Sequence, residues 1–250
     1  MKALITGASS GMGADMARVL SEKGYDLILV ARRKERLEEL KEQLKTNVEV
    51  ISLDLSSTFN CVKLYEKVKD QDIDIMINNA GFGLAGDFVD TNLDRELDMI
   101  DLNIKAVHVL MKRFLQIFCE KDKGYILNVA SSAAFQPGPL LSTYSATKSY
   151  VYSMTMAAYE ELKKKKSKVY IGCLCPGPVD TEFNDVANLE FKIPSLSSEY
   201  VARYAIKKMF RRKTIIIPGF GMKLSYFIGK LSPVKLKLKI VYSIQKAKMK

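Results

Sequence analysis

Tryptophan is missing from this chain of 250 residues, and histidine occurs once, at His108. His108 lies in a helical stretch without a partner motif, which suits a structural role. An acid or base for neutral pH must therefore be sought among other side chains. Cysteine is scarce as well. Cys61, Cys119, Cys173 and Cys175 match no zinc-ligand spacing, so no metal is expected, and Cys173 and Cys175 alternate within a strand-like run that turns both to one face. Small buried thiols in a reducing, cytoplasmic setting are the simplest reading. No uncharged apolar run reaches the ~18 residues of a membrane span. The opening MKALITGASSG lacks the basic, apolar, small-residue order of a signal peptide. Repeats, low-complexity tracts and linkers rich in Pro, Gly or Ser are absent too.

What is present is an ordinary globular composition, 48% apolar and 27% charged, in a chain long enough to bury a large core. The net charge of +11 is uneven: Met222–Lys250 holds eight lysines and no acid, leaving +3 for the remainder. The basicity is a property of the tail, and no nucleic-acid partner is expected. Residues 1–220 read as one domain and 221–250 as a basic extension.

Apolar β-rich runs at 2–6, 26–31, 48–53, 73–78, 124–130, 168–175 and 214–218 alternate with helical segments, including long ones at about 92–121 and 142–166. Several runs are nearly continuously apolar, as in sheets covered on both faces. The alternation predicts an α/β fold: a Rossmann-like, doubly wound parallel sheet of about seven strands.

The first strand runs into TGASSGMG, where Gly7, Gly11 and Gly13 precede a helix. Such a turn lets backbone approach a pyrophosphate at a helix N-terminus, although a bare glycine-rich turn also fits an ordinary loop. The second strand ends VARRK. Ala31 stands where an acid would hold a ribose diol, and Arg32 and Arg33 follow. Two guanidinium groups suit a 2′-phosphate, which favours NADP(H) over NAD(H); the other reading is that they open a solvated helix. In TYSATKSY, helical spacing puts Tyr144 and Lys148 on one face.

Together with NNAG at 78–81, Asn103, the serines 131–132, YSATK at 144–148 and PGPVDT at 176–181, these motifs resemble the classical short-chain dehydrogenase/reductase family over about residues 1–220. The resemblance implies cofactor contacts from Gly7, Ser9, Ser10, Gly11, Met12 and Gly13, from Arg32, Arg33 and Asp54, and from Asn79, Ala80 and Gly81. It implies more from Tyr144 and Lys148 and from Pro176, Gly177, Val179 and Thr181. It implies catalysis by Asn103, Ser131, Tyr144 and Lys148. Tyr144 would exchange a proton with the substrate oxygen, Lys148 would lower its pKa and hold the nicotinamide ribose, and Asn103 would hold a water. The paired serines also align on Ser132, but a spacing of thirteen residues before the tyrosine selects Ser131. The resemblance also implies a homodimer or homotetramer. Tyr150 and Tyr152, without a lysine four residues on, read as packing or rim residues, and Asp180 as a loop acid.

Phe82, the segment 135–139 and the loop 182–197 with Phe183, Leu189, Phe191 and Ile193 would bound an apolar substrate cleft. The expected activity is NADPH-dependent reduction of a hydrophobic ketone, aldehyde or 3-oxoacyl group, or the reverse oxidation. The alternative is a non-catalytic NADP(H)-sensing or membrane-associated protein on the same fold. In the tail, Leu224, Phe227, Ile228 and Leu231 have helical spacing, and Ser232–Pro233 suits a helix start. Val234, Leu236, Leu238 and Ile240 also alternate with lysines as an edge strand would. A basic amphipathic helix suits an anionic membrane or an acidic carrier; the other reading is a helix docked on the body with its lysines solvated.

Overall fold

Along β1 (Lys2–Thr6), β2 (Asp26–Ala31) and β4 (Ile75–Asn78), successive side chains leave the sheet on opposite sides, and both sides are apolar. Ala3, Ile5, Leu27, Leu29, Ile75 and Ile77 enter one core; Leu4, Ile28, Val30 and Met76 enter the other. The computed structural model describes residues 1–187 and 195–247. With β3 (Val48–Ser52), β5 (Tyr125–Val129), β6 (Tyr170–Leu174) and β9 (Ile215–Ile216), these strands form a seven-stranded sheet of order β3-β2-β1-β4-β5-β6-β9. All pairings are parallel. The two-residue strands β7 (Val179–Asp180) and β8 (Leu196–Ser197) pair separately.

One face is covered by α1 (Gly11–Glu22), α2 (Lys34–Glu42) and α8 (Ser198–Phe210). The other carries α3 (Thr58–Val68), α5 (Val107–Glu120) and α6 (Ser142–Lys164). Phe114 and Phe118 of α5 are fully buried there, each stabilising by up to about 3 kcal/mol. The four cysteines are free, with the Cys173 and Cys175 sulfurs 3.8 Å apart on one face of the strand end.

The helical material expected over 92–121 is broken. It comprises α4 (Leu93–Ile100), a π-helical turn at Asp101–Ala106, and α5. The wide turn carries Asn103 inward to no exposure at all, and such turns recur where a side chain must be re-aimed. A short α7 (Phe183–Val186) follows β7. After β9 the chain forms α9 (Phe220–Leu231) and α10 (Val234–Lys246), so the tail is helical and the edge-strand pattern is not used. Pro233 at the N-cap fixes an extended entry to α10.

The strand order reverses between β1 and β4. In open parallel sheets a crevice opens there, beyond the carboxyl ends of the strands.

Candidate functional site

Thr6 ends β1, and its hydroxyl ties this strand to the next. It accepts from the backbone N–H of Asn79 (3.0 Å) and Ala80 (3.1 Å) and donates to the Ile77 carbonyl (3.3 Å). The Asn79 amide donates back to the carbonyls of Thr6 (3.0 Å) and Gly7 (3.1 Å). The glycine turn is thereby drawn against β4 without room for side chains. Gly7 has φ +65°, and a Cβ there would stand 2.8 Å from the Ala80 Cα; a Cβ on Gly13 would stand 2.2 Å from the Gly7 carbonyl oxygen. No side chain caps α1, so its first N–H groups are left for an anion in the crevice.

The crevice opens into a cleft of about 1360 Å³. Every residue named from the sequence for catalysis or cofactor binding lines it, except Gly13 and Asn103, which lie behind its wall. At the rim, Arg33 donates to Ser9 Oγ (3.1 Å) and Ser10 Oγ (2.8 Å) and pairs with Glu182 (2.8 Å). Arg36 also bonds Glu182, and together the two guanidinium groups hold that carboxyl down to about 2. The Arg32 side chain has no partner among the described residues. Asp54 accepts from the Ser56 N–H (3.0 Å) and hydroxyl (2.9 Å).

Deeper in, α6 presents Tyr144 and Lys148 from one face, both buried. Lys148 Nζ donates to the Val129 carbonyl (3.0 Å) at the end of β5 and lies 5.8 Å from the Tyr144 ring centre. Ser131 Oγ accepts from the Ala133 N–H (3.1 Å) and faces the Tyr144 phenol. The neighbouring Ser132 uses its N–H on the Pro176 carbonyl (2.8 Å). Asn103 donates to the Phe82 carbonyl (2.9 Å) and Thr147 Oγ1 (3.1 Å) and accepts from the Phe82 N–H (3.1 Å), locking the π turn to the strand end.

Burial sets the electrostatics of this pair. It pushes Tyr144 up to about 12, opposed by the Ser131 side chain. Burial also lowers Lys148 to about 8. The tyrosine is a protonated donor at neutral pH, and the lysine is a buried cation with no carboxylate beside it.

Phe183 packs on the Tyr144 ring at 5.4 Å, and Phe82 and Leu141 complete an apolar surround. Leu189, Phe191 and Ile193 lie outside the described residues. His108 bonds the Tyr150 hydroxyl (2.7 Å) at the surface. Tyr152 packs edge-on against Phe135 and bonds Tyr226 of α9. Through Met222, Tyr226, Val241 and Ile244, the tail helices form part of the cleft wall. Sequence reasoning missed Thr6, Thr147, Arg36 and Glu182. Thr6 carries a local clue, its place directly before the glycine turn; the others carry none.

The strand-end crevice, the glycine turn and the rim arginines fit a dinucleotide. The family model for short chain dehydrogenases matches residues 1–190. An uncharacterized oxidoreductase of Staphylococcus epidermidis is 35% identical over 185 residues, covering 73% of this chain and 80% of that one. Among solved structures, the short-chain dehydrogenase from Sphingobium yanoikuyae in complex with NADPH superposes with a TM-score of 0.83, at 28% identity over 92% of this chain and 93% of that one. The bulky-bulky ketone specific alcohol dehydrogenase from Comamonas testosteroni gives 0.79, at 28% identity over 92% and 91%. Matched by sequence over most of its length and by its parallel sheet throughout, this chain belongs to the short-chain dehydrogenase family of oxidoreductases.

Proposed function

We propose that the protein is an NADPH-dependent carbonyl reductase acting on a hydrophobic ketone, aldehyde or 3-oxoacyl group, with Tyr144 as general acid. The observation that carries this is the convergence of the Tyr144 hydroxyl, Ser131 Oγ and Lys148 in an apolar end of the cleft. When bound, the reduced cofactor supplies the hydride to the carbonyl carbon.

Tyr144 gives its phenolic proton to the developing alkoxide, and its burial keeps that proton in place at neutral pH. Ser131 polarises the same oxygen; its lone pair is engaged by the Ala133 N–H, which turns its own proton outward. Lys148, spending one N–H on Val129, keeps others for a ribose hydroxyl and for returning a proton to Tyr144. Asn103 positions this group through Phe82 and Thr147, and its Oδ1 retains a lone pair for a water. Arg32 and Arg33, with no acid at the end of β2, support the preference for a 2′-phosphate. The apolar lining and the ketone specificity named for the Comamonas relative support the substrate class.

The test is NADPH oxidation with hydrophobic ketones, aldehydes and 3-oxoacyl thioesters. Tyr144→Phe should abolish turnover while NADPH binding persists by calorimetry; ordinary turnover by that variant would refute the mechanism. Arg32→Asp should weaken NADPH more than NADH, and equal losses would remove Arg32 from the cofactor site.

A further inference from the structure

The solvent-facing side of α9 is apolar. Phe220, Leu224, Phe227 and Ile228, spaced i, i+4, i+7 and i+8, are all exposed, while Met222, Tyr226 and Gly229 turn inward to the cleft. On α10, Leu236 and Ile240 continue this exposed apolar surface at i and i+4, and Ile244, one turn on, is exposed where that surface meets the cleft rim. Lys235, Lys239 and Lys246 form a parallel stripe beside it. Among the described residues, nine of the seventeen large exposed apolar side chains fall between Phe220 and Ile244, so the exposure is concentrated rather than scattered. Lys235, Lys237 and Lys239 have no carboxylate partner among the described residues, and the chain from Met222 onward holds no acid at all.

We propose that α9 and α10 are a docking surface for an anionic lipid bilayer. Apolar stripes flanked by unpaired lysines match the boundary between acyl chains and anionic headgroups, where the apolar side chains leave water and the ammonium groups stay at headgroup level. A second copy of the chain fits poorly, because a twofold contact would set lysines against lysines with no acid in the segment. No helix among the described residues is long and apolar enough to cross a membrane, so the contact is interfacial. Because the inner faces of the same helices line the cleft, docking sets the cleft beside the bilayer, within reach of a lipophilic carbonyl compound dissolved in it. This last consequence rests on the proposed substrate class; the docking does not.

The absence of tryptophan gives a clean probe. Full-length Phe227→Trp carries one indole, on the exposed face of α9. With phosphatidylglycerol–phosphatidylcholine vesicles its emission should shift to the blue and be quenched by brominated lipid. The unsubstituted chain should float with these vesicles at low salt and bind far less to pure phosphatidylcholine. Raising the salt well beyond 0.1 M, where the Debye length is already about 10 Å, should release it. Leu224→Ser combined with Ile240→Ser should reduce the bound fraction at least about tenfold. Lys235→Glu with Lys239→Glu should do the same, with NADPH affinity unchanged in both double variants. Failure of the unsubstituted chain to float at low salt would overturn the proposal. So would flotation indifferent to the serine substitutions, or a dimer in solution that Leu224→Ser dissociates without any vesicle binding. None of these readouts needs a substrate, so a failure here leaves the reductase assignment standing.

Discussion

Lys148 should make the protein more stable as pH rises above 8, against the usual trend for a lysine. Its ammonium is buried, only 5% exposed, and its one hydrogen bond goes to the Val129 carbonyl. Burial lowers its pKa from 10.5 to about 8. In the unfolded chain the amine keeps its proton up to about 10.5, whereas in the folded chain it releases it near 8. Between these values the unfolded state binds more protons, so stability rises with pH across that window and the full penalty applies below it. The penalty is about 3 kcal/mol at about pH 7 and about 1 kcal/mol at about pH 9.5, a gain of about 2 kcal/mol. Lys148→Met fills the same space without a titrating group and forfeits the bond to Val129, worth about 1 kcal/mol. The variant should therefore be more stable than the parent by about 2 kcal/mol at about pH 7 and nearly equal to it at about pH 9.5. Urea unfolding of both proteins without nucleotide, at the two pH values, measures this directly. If the two proteins respond to pH in parallel, or if Lys148→Met is the less stable at neutral pH, the buried-cation reasoning is wrong.

Other perturbations test other parts of the site. Gly13→Ala sets a Cβ 2.2 Å from the Gly7 carbonyl; it should cost about 1–3 kcal/mol by thermal unfolding and sharply weaken dinucleotide binding, and a neutral result would mean the turn is not so closely packed. Glu182→Gln removes the exposed pairs with Arg33 and Arg36. Stability should change by less than about 1 kcal/mol, while NADPH binds several-fold tighter in calorimetry and NADH does not, because Arg33 is freed for a phosphate. An equal gain for both nucleotides would contradict that role. Asn128 joins Asn78 (2.8 Å) to Thr155 (2.9 Å) inside the sheet. Asn128→Ala strands the Asn78 amide, while Thr155 keeps its bond to the Val151 carbonyl, and should cost at least about 2 kcal/mol in urea unfolding; a smaller loss would mean that water replaces the amide.

Much of the architecture is legible along the chain because the forces that set it are local. Apolar runs covered on both faces read as parallel strands, and the helical spacing of Tyr144 and Lys148 follows from 3.6 residues per turn. The glycine turn announces itself because the backbone at Gly7 adopts a conformation other residues avoid. Even the break in the tail is marked, by Ser232 and Pro233.

What the chain order hides is what depends on distance and burial. Glu182 meets Arg33 across 149 residues and Arg36 across 146. The π turn at Asn103 exists because the Phe82 backbone and Thr147, from two other segments, take up its amide. The tail reads as a separate extension, yet folds back so that Tyr226 and Val241 wall the cleft while Phe227 and Ile240 face outward. Residue types and spacing put a phenol and an ammonium on one helix face; the direction in which burial pushes each pKa depends on what encloses them. The sequence by itself determined the strands, the phosphate turn and which side chains share the helix face of the site. Only the tertiary structure decided their protonation, their long-range partners and which face of the tail meets solvent, because solvation is a property of everything packed around a group and not of its neighbours in the chain.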